Sequence, residues 1–263
     1  MADEDDPLDH QRSDSVLEVL RTWGPALLAV LMIRTFIFEP FKIPSGSMAP
    51  TLQIGDHVVV NKSSYGLWVP YSFVDVPYLE SAWVLPRVEL IDWGDPERGD
   101  IIVFRYPRNE AVNYIKRVVA IPGDKIKVKD NQIILNGEPQ ERTFIDAYEF
   151  VDDRCNSMRT KRYVEDLDGL EHEVLTSASM PGRLANMSKE IVIPEGHVFV
   201  MGDNRDNSED SRAWKFVRYD QIKGKAHFVW FSLASCGGFK VRTDRVFEGL
   251  YGEPNLDRAS DAE

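Results

Sequence analysis

The chain has 263 residues, 43% of them hydrophobic, which is enough apolar material for a sizeable core in one or two domains. Its formal net charge of −12 is concentrated at the ends: residues 1–15 hold six acids and one base, and residues 253–263 hold four acids and one base. The near-balanced body argues against nucleic acid as partner, because phosphates need a basic face, and the polar average excludes a polytopic membrane protein but not an anchored one.

The first element is apolar. From Trp23 to Phe41 the chain reads WGPALLAVLMIRTFIFEPF, interrupted only by Arg34, Thr35 and Glu39. Roughly 20 residues span a bilayer as a helix, and Arg34, late in the run, can snorkel to the headgroups. A cleavable signal peptide would need a basic leader and a small-x-small site. Here the leader is acidic and Phe36-Ile37-Phe38-Glu39-Pro40-Phe41 follows. The sequence therefore reads as an acidic tail over 1–21 and one uncleaved transmembrane anchor over 22–40, with a buried core helix as the alternative. Charge does not orient the anchor, since Arg12 and Arg21 lie upstream and Arg34 and Lys42 downstream.

After Pro40 the pattern becomes extended. Runs rich in Val, Ile, Phe and Tyr predict strands over His57–Asn61, Ile101–Tyr106, Asn113–Ile121, Lys125–Val128, Gln132–Leu135, Glu190–Val192, His197–Met201 and Lys225–Ser232. Turn signals such as Gly55-Asp56, Pro122-Gly123-Asp124 and Asn136-Gly137 separate them. The body over 41–263 is thus expected to be mainly β, with no long amphipathic helix. Residues 63–98 are an aromatic insertion with Trp68, Trp83 and Trp93, residue types that favour either a membrane interface or ordinary packing. Residues 138–189, dense in charge, read as a peripheral excursion from the β core. The tail from about Gly252 is expected to be mobile.

Three segments carry chemistry. Directly after the anchor comes Phe41-Lys42-Ile43-Pro44-Ser45-Gly46-Ser47-Met48, two serines flanking a glycine behind a proline that fixes the backbone direction. The second is Tyr114–Asp124, in which strand alternation puts Lys116 on the same face as Tyr114, Val118 and Ala120. Such a lysine either snorkels outward or sits dry, where desolvation disfavours its charge and frees it to act as a general base for a serine. The third, Gly202–Arg212, is dense in short polar residues and charges, and fits a loop folded back on itself through Asp–Arg pairs. EF-hand spacing, a G-x-S-x-G elbow and an S-x-x-K arrangement are all missing from the sequence. No H-E-x-x-H or C-x-x-C occurs either, so no metal site is expected, and two lone cysteines, Cys155 and Cys236, decide nothing about redox compartment.

In this order, and directly after an anchor, the stretches Glu39–Leu52, Gly99–Phe104, Tyr114–Asp124 and Gly202–Arg212 closely resemble bacterial type I signal peptidases. The resemblance implies a signal-peptidase-type antiparallel β-sheet domain with an inserted β excursion, and a Ser–Lys endopeptidase that needs no metal or organic cofactor. Ser47 matches the nucleophile, Lys116 the general base and Ser208 the serine that orients the lysine. The Ser45 hydroxyl and the Ser47 amide match the oxyanion hole, and Asp210 and Arg212 the supporting ion pair. Phe41, Ile43, Pro44, Met48, Leu52, Val103, Tyr114 and Ile115 match the walls of the pockets for small signal-peptide residues. The implied partners are preproteins and the lipid bilayer. The implied place is the bacterial inner membrane, with the N-terminus cytoplasmic and the catalytic domain on the periplasmic side. Many Gram-negative members carry two anchors before the serine, whereas here one is evident. A self-cleaving repressor protease and a catalytically silent tethered factor are the competing readings.

Overall fold

The computed structural model describes residues 7–69, 88–234, 236, 238 and 240–252, without the side chains of 7–16, 35, 67–69, 88 and 89. Helix α1 spans Pro7–Phe36 among the described residues. It ends ahead of Glu39-Pro40, because a residue before proline is driven to extended backbone. Strand β1, Phe38–Lys42, therefore takes the last part of the expected anchor 22–40 and pairs antiparallel with β2, Asp56–Asn61, which corrects that boundary. Among the described residues no helix is long and apolar enough to cross a membrane. The apolar side chains of α1 are nonetheless exposed, Leu27, Leu28, Leu31 and Ile33 among them, so α1 is not a core helix of the β body.

The chain continues through β3 (Gly66–Val69), β4 (Val88–Asp92), β5 (Ile101–Tyr106), β6 (Asn109–Ala120), β7 (Lys125–Lys129), β8 (Gln132–Leu135) and β9 (Glu138–Pro139). It goes on through β10 (Arg142–Val151), β11 (Ser157–Asp166), β12 (Glu171–Ser177), β13 (Ile191–Val192) and β14 (His197–Met201). A four-residue helix α2 (Ser211–Trp214) precedes β15 (Val217–Arg218), β16 (Ile222–Ser232) and β17 (Glu248–Gly249). The main sheet runs β1-β2-β16-β5-β6-β14-β15, with β17 on β16, and all its pairs are antiparallel. The strands expected over Ile101–Tyr106, Gln132–Leu135 and His197–Met201 have the limits read from sequence, and β6 begins at Asn109 rather than Asn113. The β8–β9 turn has Asn136 and Gly137 both at positive φ, the backbone that an Asn-Gly hairpin provides.

Within 138–189 the structure holds a three-stranded sheet, β10-β11-β12, that alternation did not reveal. Ion pairs occupy positions where apolar residues would have shown the period: Arg162 bridges Asp146 on β10 and Glu173 on β12. This sheet packs against the segment after Ser47, since its Tyr148, Phe150 and Leu175 form a core cluster with Ala49. A disulfide, Cys155–Cys236, ties the β10–β11 loop to the segment after β16. In the aromatic insertion β3 pairs with β4 and Trp93 is exposed, while Trp83 and the side chain of Trp68 lie outside the described residues, as does the tail from residue 253.

Candidate active site

Ser47 sits in a 3-10 turn, Gly46–Met48, immediately after β1, and is buried with its neighbours. A Cβ at Gly46 would collide with the Phe150 ring, so only glycine lets the turn lie against β10. The loop after β14 grips the turn from the other side. Asn204 donates its backbone N–H to the Ser47 carbonyl at 3.1 Å and its side-chain amide to the Gly46 carbonyl at 3.1 Å. Between them Gly202 is packed so closely that a Cβ there would strike both the Ser47 carbonyl and Ser208 Oγ. Ser45 is exposed in extended backbone before the turn and makes no capping hydrogen bond.

Lys116 projects from β6 with 4% exposure, its Nζ 2.5 Å from Ser47 Oγ and donating to the Ile115 carbonyl at 3.0 Å. The Tyr114 ring lies 5.5 Å from the same nitrogen, so the expected shared face holds for Tyr114, and Val118 packs in the cluster that Tyr114 joins. Ala120 falls in a different cluster, because the β6–β14 register shifts between Val118 and Ala120. Burial pushes the Lys116 amine down to about 8, against the pull of Asp210 and Asp203.

Those two carboxylates are already engaged. Asp210 accepts Arg212 Nε at 2.8 Å and Nη2 at 2.7 Å, the Gly202 N–H at 3.1 Å and the Ser208 hydroxyl at 2.8 Å. It also caps α2 through the Arg212 N–H. Burial alone would raise Asp210, and Arg212 outweighs it, holding the carboxyl below its ordinary range. Ser208, expected to orient Lys116, donates its hydroxyl to Asp210, the anionic acceptor beside it. Its Oγ and the Ser47 carbonyl both crowd the space that a Cβ at Gly202 would take.

Of the expected pocket residues, Ile43, Met48, Leu52, Val103 and Ile115 share one buried cluster with Phe41 against it, and Pro44 is exposed. Met48 and Leu52 have no exposed surface and lie in the interior of that cluster. Tyr114 belongs to a separate cluster with Tyr106 and Trp214.

Sequence reading missed a second ion pair. Arg117, on the opposite face of β6, grips Asp203 with Nε at 2.9 Å and Nη2 at 2.8 Å, and Thr51 adds its hydroxyl at 2.6 Å. Asp203 and Asn204 thus link this pair to the serine turn. The available signal was two adjacent cations in an apolar strand, where the one facing away from the serine needs its own acid. A third buried pair, Arg205 with Glu165 of β11, anchors the same loop to the inserted sheet. There Arg205 and His172 overcome burial and hold Glu165 at about 2.

A serine hydroxyl thus lies against a dry amine in a mainly antiparallel β fold. The family model for signal peptidase, peptidase S26, matches residues 16–231 of this chain. Signal peptidase I of Pseudomonas fluorescens is 39% identical over 229 residues, covering 82% of this chain and 73% of its own. That of Aquifex aeolicus is 36% identical over 233 residues, covering 78% and 80%. A solved structure of signal peptidase I from Enterococcus faecalis is 25% identical with a TM-score of 0.30, covering 50% of this chain and 96% of its own. The chain belongs to the signal peptidase, peptidase S26 family.

Proposed function

We propose that this protein is a membrane-anchored Ser–Lys endopeptidase that cuts signal peptides from exported preproteins after small-x-small sites. The observation that carries the reading is the buried Lys116 amine 2.5 Å from Ser47 Oγ, with no carboxylate among the described residues in hydrogen-bond contact with it. The neutral amine takes the Ser47 proton as Oγ attacks the scissile carbonyl. The oxyanion forms against the Ser47 N–H and the free hydroxyl of Ser45. Lys116 then protonates the leaving amine, and a water activated by the same lysine hydrolyses the acyl-enzyme. Ser208, Asp210 and Arg212 hold the frame.

The substrate adds as an extended strand between the Ile43–Ser45 and Tyr114–Lys116 segments. Phe41, Ile43, Val103 and Ile115 accept small side chains there, and the buried Met48 and Leu52 of the same cluster reject large ones. The exposed apolar side chains of α1 support an anchor, on the inner membrane with the catalytic domain periplasmic. The test is cleavage of a preprotein in detergent by wild type and Ser47→Ala, with the cut located by mass spectrometry. Cutting after a small-x-small site, lost in the variant, is the expected result. Cutting that survives places the nucleophile elsewhere, and no cutting by either protein, beside a working control enzyme, favours a silent tethered factor.

A further inference from the structure

The Tyr114 ring beside Lys116 belongs to an aromatic cluster built by three elements. Tyr114 of β6 stacks on Tyr106 of β5 with centroids 4.6 Å apart and planes within 8°. Trp214 of α2 sets its ring edgewise against both, 5.0 Å from Tyr106 and 5.6 Å from Tyr114. A register shift between Arg105 and Tyr106 in the β5–β6 pair accompanies this diagonal stack. The Trp214 indole N–H is buried and has no hydrogen-bond partner among the described residues, so the ring contributes shape rather than a polar contact. Helix α2, which presents Trp214, is the element capped by Asp210 and carrying Arg212. One short helix therefore joins the Asp210–Arg212 lock to the aromatic cluster beside the lysine.

We infer that Tyr106 and Trp214 are positioning residues that clamp the Tyr114 ring beside Lys116 and so keep water off the amine. This inference rests on the Ser–Lys reading above. Without the clamp the Tyr114 ring, itself only half-buried, loses its flat partner and water reaches Nζ. Burial is the leading cause of the lowered Lys116 proton affinity, so hydrating the site moves that affinity back towards the ordinary lysine range. The charges that bear on Lys116 are Asp210, Arg212 and Glu209 from the loop and α2, and Asp203 from behind β6. Tyr106 touches only the exposed one of these, donating its hydroxyl to Glu209 at 3.2 Å. A phenylalanine at 106 therefore separates the ring from the hydroxyl.

The experiment is the pH profile of kcat/KM for preprotein cleavage by wild type, Tyr106→Ala, Tyr106→Leu and Tyr106→Phe, with melting temperatures alongside. Leucine fills the space without a flat face and guards against a variant that fails to fold. The expected result is an alkaline shift of the rising limb for Ala and Leu. At pH 7 this is a loss of about 3- to 10-fold that disappears near pH 10, since each pH unit is tenfold in the neutral amine. Phe keeps the wild-type limb. A uniform loss at every pH in Ala and Leu, an unmoved limb, or a shift in Phe as large as in Ala overturns the inference. The Ser–Lys reading fails separately, if wild type has no limb or Ser47→Ala still cuts.

Discussion

The two faces of β6 each bury a cation, and they treat it in opposite ways. Lys116 and Arg117 are neighbours, both 4% exposed. Arg117 faces a carboxylate in bidentate contact and stays charged, its proton affinity raised by Asp203 against the cost of burial. The Lys116 face also has a carboxylate nearby, Asp210, but its oxygens are occupied by Arg212, Ser208 and Gly202. A buried cation becomes structural when an acid is free to pair with it, and a base when every acid around it is already bound. Arginine suits the first face, because its fork matches a carboxylate and it does not deprotonate, and lysine suits the second, because its affinity moves readily on burial.

The comparison makes opposite demands of the two faces. Lys116→Ala is expected to lower kcat/KM by at least about 10³-fold while leaving circular dichroism and melting temperature close to wild type, since no buried acid loses its partner. Arg117→Met is expected to do the reverse in kind. It strands Asp203, a buried carboxylate, and costs about 3–5 kcal/mol of stability in urea unfolding. The idea is broken if Lys116→Ala unfolds the protein or if Arg117→Met melts like wild type.

A pH profile sharpens the same contrast. On the proposed reading the lysine acts when neutral, and burial places its titration at about 8. Below that value each pH unit removes about nine-tenths of the remaining neutral form, so kcat/KM rises about tenfold per unit towards pH 8 and levels above it. Freeing Asp210 turns the Lys116 face into a copy of the Arg117 face. Arg212→Met leaves the carboxylate to pair with the amine, and the rising limb moves to higher pH as the charged form gains its acid. A limb that stays in place while cleavage persists would show that Asp210 is not what the lysine has been denied.

Much of this arrangement was legible in sequence. The serine turn stood out for its flanking proline and glycine, and Lys116 as an ionisable residue on an apolar strand face, but it was the resemblance that assigned them roles. The end of the first helix was not legible, since Ile37 and Phe38 suit a long apolar helix as well as a strand and only Glu39-Pro40 separates the two. The resemblance implied an inserted β excursion, but the strands and pairing of the β10-β11-β12 sheet were hidden for a related reason: its inner positions are partly filled by Arg162 and Glu173, which satisfy each other only across strands that must already be paired. Long-range ion pairs leave no periodic trace in one chain. That explains why Asp210 and Arg212, two residues apart, were found together through the resemblance, while Arg117 and Asp203, far apart, were not.

The inserted sheet supplies the smallest of the expected effects and a check on how the serine turn is held. Gly46 lies against Phe150, and an added methyl has nowhere to go unless the ring moves. Gly46→Ala is expected to cost about 1–3 kcal/mol through overpacking. Because the obstacle is a side chain, Phe150→Leu in the same protein should recover part of that loss, although Phe150→Leu alone is destabilising. The equivalent change at Gly202 meets the Ser47 backbone carbonyl as well as Ser208, so no single side-chain replacement should relieve it. Chemical denaturation of the two single glycine variants and the Gly46→Ala, Phe150→Leu pair measures the coupling directly. A zero coupling energy at Gly46 would mean that the turn is held by Asn204 alone and that β10 only rests against it.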